Sequence, residues 1–364
     1  MSAKKILFLS PYPFNKAPSQ RLKYEQYFSA FEQVGYIVKS DSFISEKLWG
    51  FLYIKGNIFK KAIYTALAYF KRYLLLGTLY KYDLVYVHLW GTPFGAPVFE
   101  RLLRAFSRKL IYDIDDLIYL RDTNEANKFL KNFKGKSKSF YLMRIADHVI
   151  TCTPRLDDFV KKFNSHTTDI SSTVDTEKRY LPKADYESND IIKIGWSGSY
   201  STSKYLYLLK DVLIELSKSH KFQLVVMGDK DFYIEGVNIK AIPWSEENEM
   251  TTLKSFDIGI YPLPDEEWVY GKSGLKAIQY MALGIPTIAT AIGANFRIIT
   301  DGVNGFLIAP DNYEKWSIRL AELIQDAELR KRLGREGRKK VEEKYSIHTN
   351  APHYLQILNS LTAR

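Results

Sequence analysis

Gly271-Lys272-Ser273-Gly274-Leu275-Lys276-Ala277-Ile278-Gln279-Tyr280-Met281-Ala282-Leu283-Gly284-Ile285-Pro286 opens as a glycine-bearing turn and closes where a proline starts a strand. The apolar run Asp257 to Tyr261 precedes it and the run Pro286 to Ala289 follows it, so a helix from about Gly274 to Leu283 lies between two short strands. Strand, helix and strand in that order make a parallel α/β unit.

The same alternation extends in both directions. Upstream, Ile192 to Trp196, Phe222 to Met227 and Ile239 to Ile242 read as strands. Leu206, Leu209, Leu213 and Leu216 share one face of an intervening helix. The last seventy residues read as helices, with Leu320, Leu323 and Ile324 on a buried face. Before a polar stretch from Pro182 to Asp190, strands are expected at Ile6 to Leu9, Leu84 to Val87, Leu110 to Tyr112 and Val149 to Cys152. Helical patterns separate them: Tyr24, Tyr27, Phe28, Phe31 and Val34 on one face with Gly35 as stop, Val98 to Phe106, and Leu142 to Ala146. The fold class is therefore α/β, with two doubly wound, Rossmann-like domains expected to face a central cleft. Their expected extents are 1–182 and 190–345, with a C-terminal helix at 346–364 packing back on the first domain. Ligands of such sheets sit beyond the carboxyl ends of the strands, at the topological switch point.

A length of 364 residues suits two domains, and 46% hydrophobic with 26% charged residues is ordinary for a globular chain. With 52 Lys and Arg against 41 Asp and Glu, the formal charge is +11. That charge speaks to partners rather than fold, and nucleic acid, an anionic membrane and a phosphorylated substrate all fit it. The single cysteine, Cys152, allows no intrachain disulfide, which suits a reducing, cytoplasmic setting. No apolar stretch is long enough for a spanning helix, and the run Ile6 to Leu9 is too short for a signal-peptide core.

The quoted segment offers an anion site. First-turn N–H groups and the helix dipole attract negative charge, and Lys272 and Lys276 add two cations there. Gln279, one to two turns on, is placed to hydrogen-bond a ribose hydroxyl. The competing reading is a surface helix with solvated lysines and a cap glycine, and the local pattern leaves both open.

In order along the chain come Asp257-Ile258-Gly259-Ile260-Tyr261-Pro262, Tyr280-Met281-Ala282-Leu283-Gly284-Ile285-Pro286, Ile292-Gly293-Ala294-Asn295 and Asp301-Gly302-Val303-Asn304-Gly305-Phe306. Ala146-Asp147-His148-Val149-Ile150 and Ile194-Gly195-Trp196-Ser197-Gly198-Ser199 precede them. The series resembles the retaining glycosyltransferases of the GT-B fold, the group-4 (sucrose and glycogen synthase-like) superfamily, strongly in the second half and weakly in the first. The chain departs from that family where two glutamates usually stand eight positions apart, here Gly271 and Gln279. Ser199 also replaces an arginine, while Lys204 stands where the following lysine falls. A divergent bacterial subset is similar in having Gly-Lys with a second Lys four residues on. The resemblance implies that Gly198, Ser199, Lys204, Lys272, Ser273, Gly274, Leu275 and Lys276 bind the donor diphosphate. It places Gln279, Gly228 and Trp244 near the ribose or base. It also implies transfer from a nucleotide-diphosphate sugar with no cofactor and no required metal.

In the first domain, Tyr112-Asp113-Ile114-Asp115-Asp116 follows a strand, so Asp113 and Asp115 are candidates for the catalytic cleft, with helix capping as the plain alternative. An Asp-x-Asp also marks metal sites of the other sugar-transferase fold, GT-A, but that reading sits poorly with a second domain carrying the donor motif. His88 ends a strand and joins the catalytic candidates. Arg21, in the loop Pro18-Ser19-Gln20-Arg21, is a candidate for phosphate or acceptor contact, or simply for starting a helix. Cys152 reads as a packed strand residue.

From Lys47 to Tyr82 there are seven basic residues (Lys47, Lys55, Lys60, Lys61, Lys71, Arg72 and Lys81) and no acidic one, interleaved with Trp49, Phe51, Tyr53, Phe59, Tyr64, Tyr69, Phe70 and Tyr73. An interfacial helix docking on anionic lipid needs such a mixture. A helix pair with a buried aromatic face and a solvated basic one competes with this, and base stacking on the rings is the third reading. Together these expectations describe a glycosyltransferase acting on a glycan or lipid-linked acceptor for bacterial surface polysaccharide, with possible membrane contact and no nucleic acid. An epimerase of the same fold and a non-catalytic nucleotide-sugar or nucleic-acid binder are the alternatives.

Overall fold

The computed structural model describes residues 3–52, 54, 56–115, 136–182 and 191–363. The chain forms two compact units, Met1–Ser172 with Asn350–Arg364, and Thr173–Thr349. Each holds a six-stranded, wholly parallel sheet.

In the first unit the sheet order is β2-β1-β3-β4-β5-β6. The strands are β1 (Lys4–Ser10), β2 (Tyr36–Ser42), β3 (Leu84–His88), β4 (Leu110–Asp113), β5 (His148–Thr151) and β6 (Thr167–Asp169). The runs Ile6 to Leu9 of β1 and Leu84 to Val87 of β3 are apolar and buried, as suits a parallel sheet covered on both faces. β2 and β6 are absent from the sequence-based expectations for the opposite reason. They lie at the sheet edges and carry polar runs, YIVKSDS and TTD, that leave no apolar signal. The helix expected around Tyr24 to Val34 is a short 3-10 turn, Glu25–Tyr27, running into the helix Phe28–Gln33. Val34 is 56% exposed rather than part of its buried face, since the chain has already left the helix there.

In the second unit the order is β12-β11-β10-β7-β8-β9. The strands are β7 (Ile192–Ser197), β8 (Phe222–Met227), β9 (Ile239–Ile242), β10 (Ile258–Tyr261), β11 (Thr287–Thr290) and β12 (Phe306–Ile308). Chain order reverses between β7 and β10, the switch point of a Rossmann-like sheet. β12 corrects the expectation that the last seventy residues are all helical: three residues pairing with β11 are too few to show a period. Leu206, Leu209, Leu213 and Leu216 are all buried, although the first two sit in a 3-10 segment, Lys204–Leu209, ahead of the helix Lys210–Ser219.

The division between units falls upstream of Pro182. Val174 forms a bridge to Ser346, and the Arg338 guanidinium donates to the carbonyls of Thr176, Tyr180 and Ala282. Arg179 pairs with Glu249 at 2.7 Å. These bonds tie residues 173–180 to the second unit. The polar stretch 183–190 lies outside the described residues. At the other end, the helix Ile347–Thr362 supplies its residues from Asn350 onward to the first unit, where Tyr36 Oη donates to Asn359 at 2.8 Å and Tyr354 packs on Tyr27.

The basic aromatic segment folds as two helices, Glu46–Leu52 and Ile58–Leu76. Trp49, Phe51, Tyr64 and Tyr69 pack around Phe43, Ile44 and Leu48. Arg72 does not join a solvated basic face: it is buried, donating to the Ser10 carbonyl and pairing with Asp41 at 3.1 Å. Burial lowers its pKa to about 10, against the pull of Asp41. Tyr53 and Lys55 lie outside the described residues.

Candidate functional site: a lysine between two rings at the switch point

The helix Leu275–Ala282 begins after Gly274, whose φ is +74°. A Cβ there would stand 2.3 Å from Ile298 Cδ1, so both the backbone angle and the space call for glycine. Tyr280 anchors the helix to the sheet by accepting the Ser197 N–H at 2.8 Å. This fixes the first turn, whose amides have no carbonyl partner within the helix, beyond the ends of β7 and β10.

Lys276 projects from that turn. Its Nζ lies 5.3 Å from the ring centre of Trp196 on β7 and 5.1 Å from that of Tyr261 on β10. No carboxylate among the described residues pairs with it. Burial, and then the nearby charge of Lys272, lower its pKa to about 7. Ring faces attract a cation but do not neutralise it, so the site retains a need for negative charge. Lys272 stands 5.5 Å over Trp268, whose ring packs 5.5 Å from Tyr205, and exposed Lys204 stands 5.2 Å over Tyr205. Two adjoining rings thus link Lys272 to Lys204, and Lys272 is near enough to Lys276 for its charge to be felt there.

The loops after β7 and β8 close on the same place. Gly228 has φ +108°, and a Cβ on it would lie 1.7 Å from the Gly198 carbonyl oxygen. Gly198 donates to the Met227 carbonyl at 2.9 Å, and its own space is bounded by Trp196 and Lys276. Gly198, Gly228, Lys272, Lys276 and Lys204 are therefore brought together, with half-buried Ser273 and Leu275 on the same turn. Ser199 is exposed, its Oγ engaged with Ser201 and Thr202. Trp244 is 40% exposed past the end of β9. Gln279 is buried, and its Nε2 donates to Tyr180 Oη at 2.7 Å.

The first unit has its own cluster at the strand ends. His88 and Asp113, the last residues of β3 and β4, are register partners. Asp113 Oδ1 accepts from Lys23 Nζ, while Oδ2 accepts from Tyr86 Oη at 2.6 Å and from His88 Nδ1 at 3.2 Å. All four residues are buried. Burial pushes the Asp113 carboxyl up, but Lys23 and His88 outweigh it and hold it below the usual carboxylate range. Lys23 is held above its usual value, Asp113 outweighing the cost of its burial. With both oxygens engaged, Asp113 serves the interior of the unit. His88 Nε2 is buried without a hydrogen-bond partner among the described residues. Asp115 is half-buried, and its carbonyl accepts from the Cys152 thiol, itself fully buried as expected. Asp116 lies outside the described residues. Among those described, no group of three or more His, Cys, Asp or Glu is placed to hold a metal ion. Arg21 ends a short helix, Pro18–Arg21, buried beside Glu25. Gln20 pins this segment by bonding both the N–H and the carbonyl of Tyr12.

Lys23, Tyr86, Tyr261, Trp268 and Tyr205 were not anticipated as site residues. Tyr261 lies within a quoted motif and Tyr205 beside Lys204, but only the meeting of separate elements sets their rings beside the lysines.

Comparison with known proteins follows this geometry. Residues 191–326 match the family described as Glycosyl transferases group 1. The capsular polysaccharide biosynthesis glycosyltransferase CapM of Staphylococcus aureus is 24% identical over 170 residues, covering 43% of this chain and 43% of CapM, so the match spans less than half of that relative. Among solved structures, the sucrose-phosphate synthase of Thermosynechococcus elongatus aligns with a TM-score of 0.70 at 17% identity, covering 99% of each chain. HepE of Anabaena, solved in complex with UDP-glucose, aligns with a TM-score of 0.66 at 16% identity, covering 98% of this chain and 99% of its own. Residues 191–326 are therefore similar to the glycosyl transferases group 1 family, and the chain has the two-unit GT-B fold.

Proposed function

We propose that this protein is a retaining glycosyltransferase that moves a sugar from a nucleotide-diphosphate sugar to a glycan or lipid-linked acceptor in bacterial surface polysaccharide synthesis, at the inner face of a membrane. The observation that carries the reading is Lys276, held between Trp196 and Tyr261 at the switch point with no carboxylate partner among the described residues and with Lys272 close enough to lower its pKa. Such a group gains most from a ligand that brings negative charge.

The chemistry follows from that placement. As the bond from the sugar C1 to the diphosphate breaks, negative charge grows on the phosphate oxygens. Fixed lysines and helix N–H groups aimed at those oxygens stabilise the transition state more than the ground state, without reorganising at the moment of reaction. The acceptor hydroxyl attacks from the face the diphosphate leaves, and a phosphate oxygen takes its proton, so configuration is retained and no side-chain base is needed. On this reading the lysines do the work that a bridging cation does elsewhere. Asp113, committed to Lys23, Tyr86 and His88, shapes the first unit's strand ends rather than carrying the proton.

Calorimetric titration of UDP, GDP, dTDP and CMP, with and without EDTA, tests the reading. Saturable, EDTA-insensitive binding of one nucleoside diphosphate is expected, and it names the activated sugars to assay for transfer. Absence of binding by all of them overturns the donor-site assignment while leaving the fold untouched.

A further inference from the structure

The helix Ile58–Leu76 has two unlike faces. On one, Tyr64, Ala68 and Tyr69 pack against Phe43, Ile44 and Leu48, and Arg72 and Leu76 are buried. On the other, Phe59 is 87% exposed, Ile63 59%, Leu67 56%, Phe70 63% and Leu74 61%. Their spacings of four, four, three and four residues set them in one line, about 22 Å long at roughly 1.5 Å per residue. Scattered exposed apolar residues are common on any surface, whereas an unbroken stripe of large ones marks a contact.

Charge identifies the contact. Lys60 and Lys71 border the stripe, both exposed, with Lys71 also 2.6 Å from Asp41. Exposed Tyr80 and Lys81 lie just past the helix end. No acidic residue occurs anywhere from Lys47 to Tyr82. A second copy laid on the same stripe would bring two lysine borders together, and the segment has no carboxylate to set between them, Asp41 being already paired with Lys71 and Arg72. Anionic headgroups over acyl chains answer the cations and the stripe at once.

We infer that this face docks the protein on an anionic lipid bilayer, the helix lying in the interfacial plane with Phe59, Ile63, Leu67, Phe70 and Leu74 toward the acyl chains. The helix lies on the bilayer rather than crossing it, since no helix among the described residues is long and apolar enough to span. The inference gives a surface to the membrane contact in the proposed function and is independent of the donor chemistry.

Flotation with vesicles of phosphatidylcholine alone, and of phosphatidylcholine with phosphatidylglycerol in equal parts, tests it. The wild type is expected to bind the anionic vesicles at least about tenfold more tightly than the neutral ones, because each basic residue at the surface adds severalfold. A Phe59→Glu/Leu67→Glu/Phe70→Glu variant is expected to lose about a hundredfold, and Lys60→Glu severalfold. All four positions are exposed, so an unchanged melting temperature shows that the fold is intact, and unchanged nucleoside diphosphate binding separates this surface from the donor site. Equal binding to both vesicle types, or wild-type binding by the triple variant, overturns the proposal. So does a wild-type dimer that the triple variant converts to monomer, since the stripe then belongs to a second copy.

Discussion

Both units gather charged side chains beyond the carboxyl ends of their central strands, yet they treat the charge in opposite ways. At the ends of β3 and β4, Asp113 meets Lys23, Tyr86 and His88, so cation and anion are both buried and both answered. Beyond the ends of β7 and β10, Lys276 meets ring faces and a second lysine, and no carboxylate among the described residues pairs with it. The same sheet edge is closed on itself in one unit and left short of an anion in the other. A parallel sheet directs ligands to this edge in either case, and the side chains there determine whether the edge holds the unit together or receives a charged group.

The widest separation between the units is expected from Asp113→Ala. Removing one partner of a buried pair leaves Lys23 uncompensated, and the expected loss is about 3–5 kcal/mol of stability, read by chemical denaturation. Nucleoside diphosphate affinity measured on the folded fraction should be unchanged. A variant that loses nucleotide binding but not stability would invert the comparison.

Lys276→Ala is the counterpart. It should weaken nucleoside diphosphate binding about a hundredfold, the order expected for a charge-assisted contact in a partly desolvated place, with melting temperature unchanged or raised because a half-buried cation has been removed. Lys272→Ala should cost about tenfold, and exposed Lys339→Ala nothing measurable; calorimetry reads all three. Equal losses for Lys272→Ala and Lys339→Ala would take Lys272 out of the site.

The pH dependence sharpens the same contrast. The pKa of Lys276 is lowered to about 7 in the free protein, and a bound anion favours its ammonium form, so binding above that pH takes up a proton. Affinity should therefore fall as pH rises from 7 to 9, by at most about tenfold per unit. Lys276→Arg, whose guanidinium stays charged, should flatten the slope. The sign for stability is opposite: the unfolded chain binds more protons than the folded one between about 7 and the ordinary lysine value, so lowered Lys276 makes the protein more stable as pH rises through that window.

The smallest effect is expected from Tyr180→Phe, which removes the hydroxyl that accepts from Gln279. About 1 kcal/mol of stability should be lost, with nucleotide affinity unchanged. A large loss of affinity would return Gln279 to the binding site.

Local patterns carried much of this molecule. Apolar runs marked the interior strands, and the glycine turn marked the start of the helix Leu275–Ala282, because periodicity and turn chemistry act over a few residues. Edge strands β2 and β6 and the three-residue β12 escaped notice, since a polar or very short strand has no period to read. Side-chain direction escaped as well: Gln279 sits one turn from Lys276, yet packing turns it to Tyr180 and leaves Lys276 at the open end.

Sequence alone placed two lysines four residues apart on the first turns of a helix and a basic, acid-free segment with aromatic residues. Only the tertiary structure set Trp196 and Tyr261 around one of those lysines, buried Arg72 away from the basic face and aligned Phe59, Ile63, Leu67, Phe70 and Leu74 on the outside of one helix. The reason is that a residue's charge is written in its covalent structure, while the desolvation and partners that give the charge its energy come from residues far away in the chain.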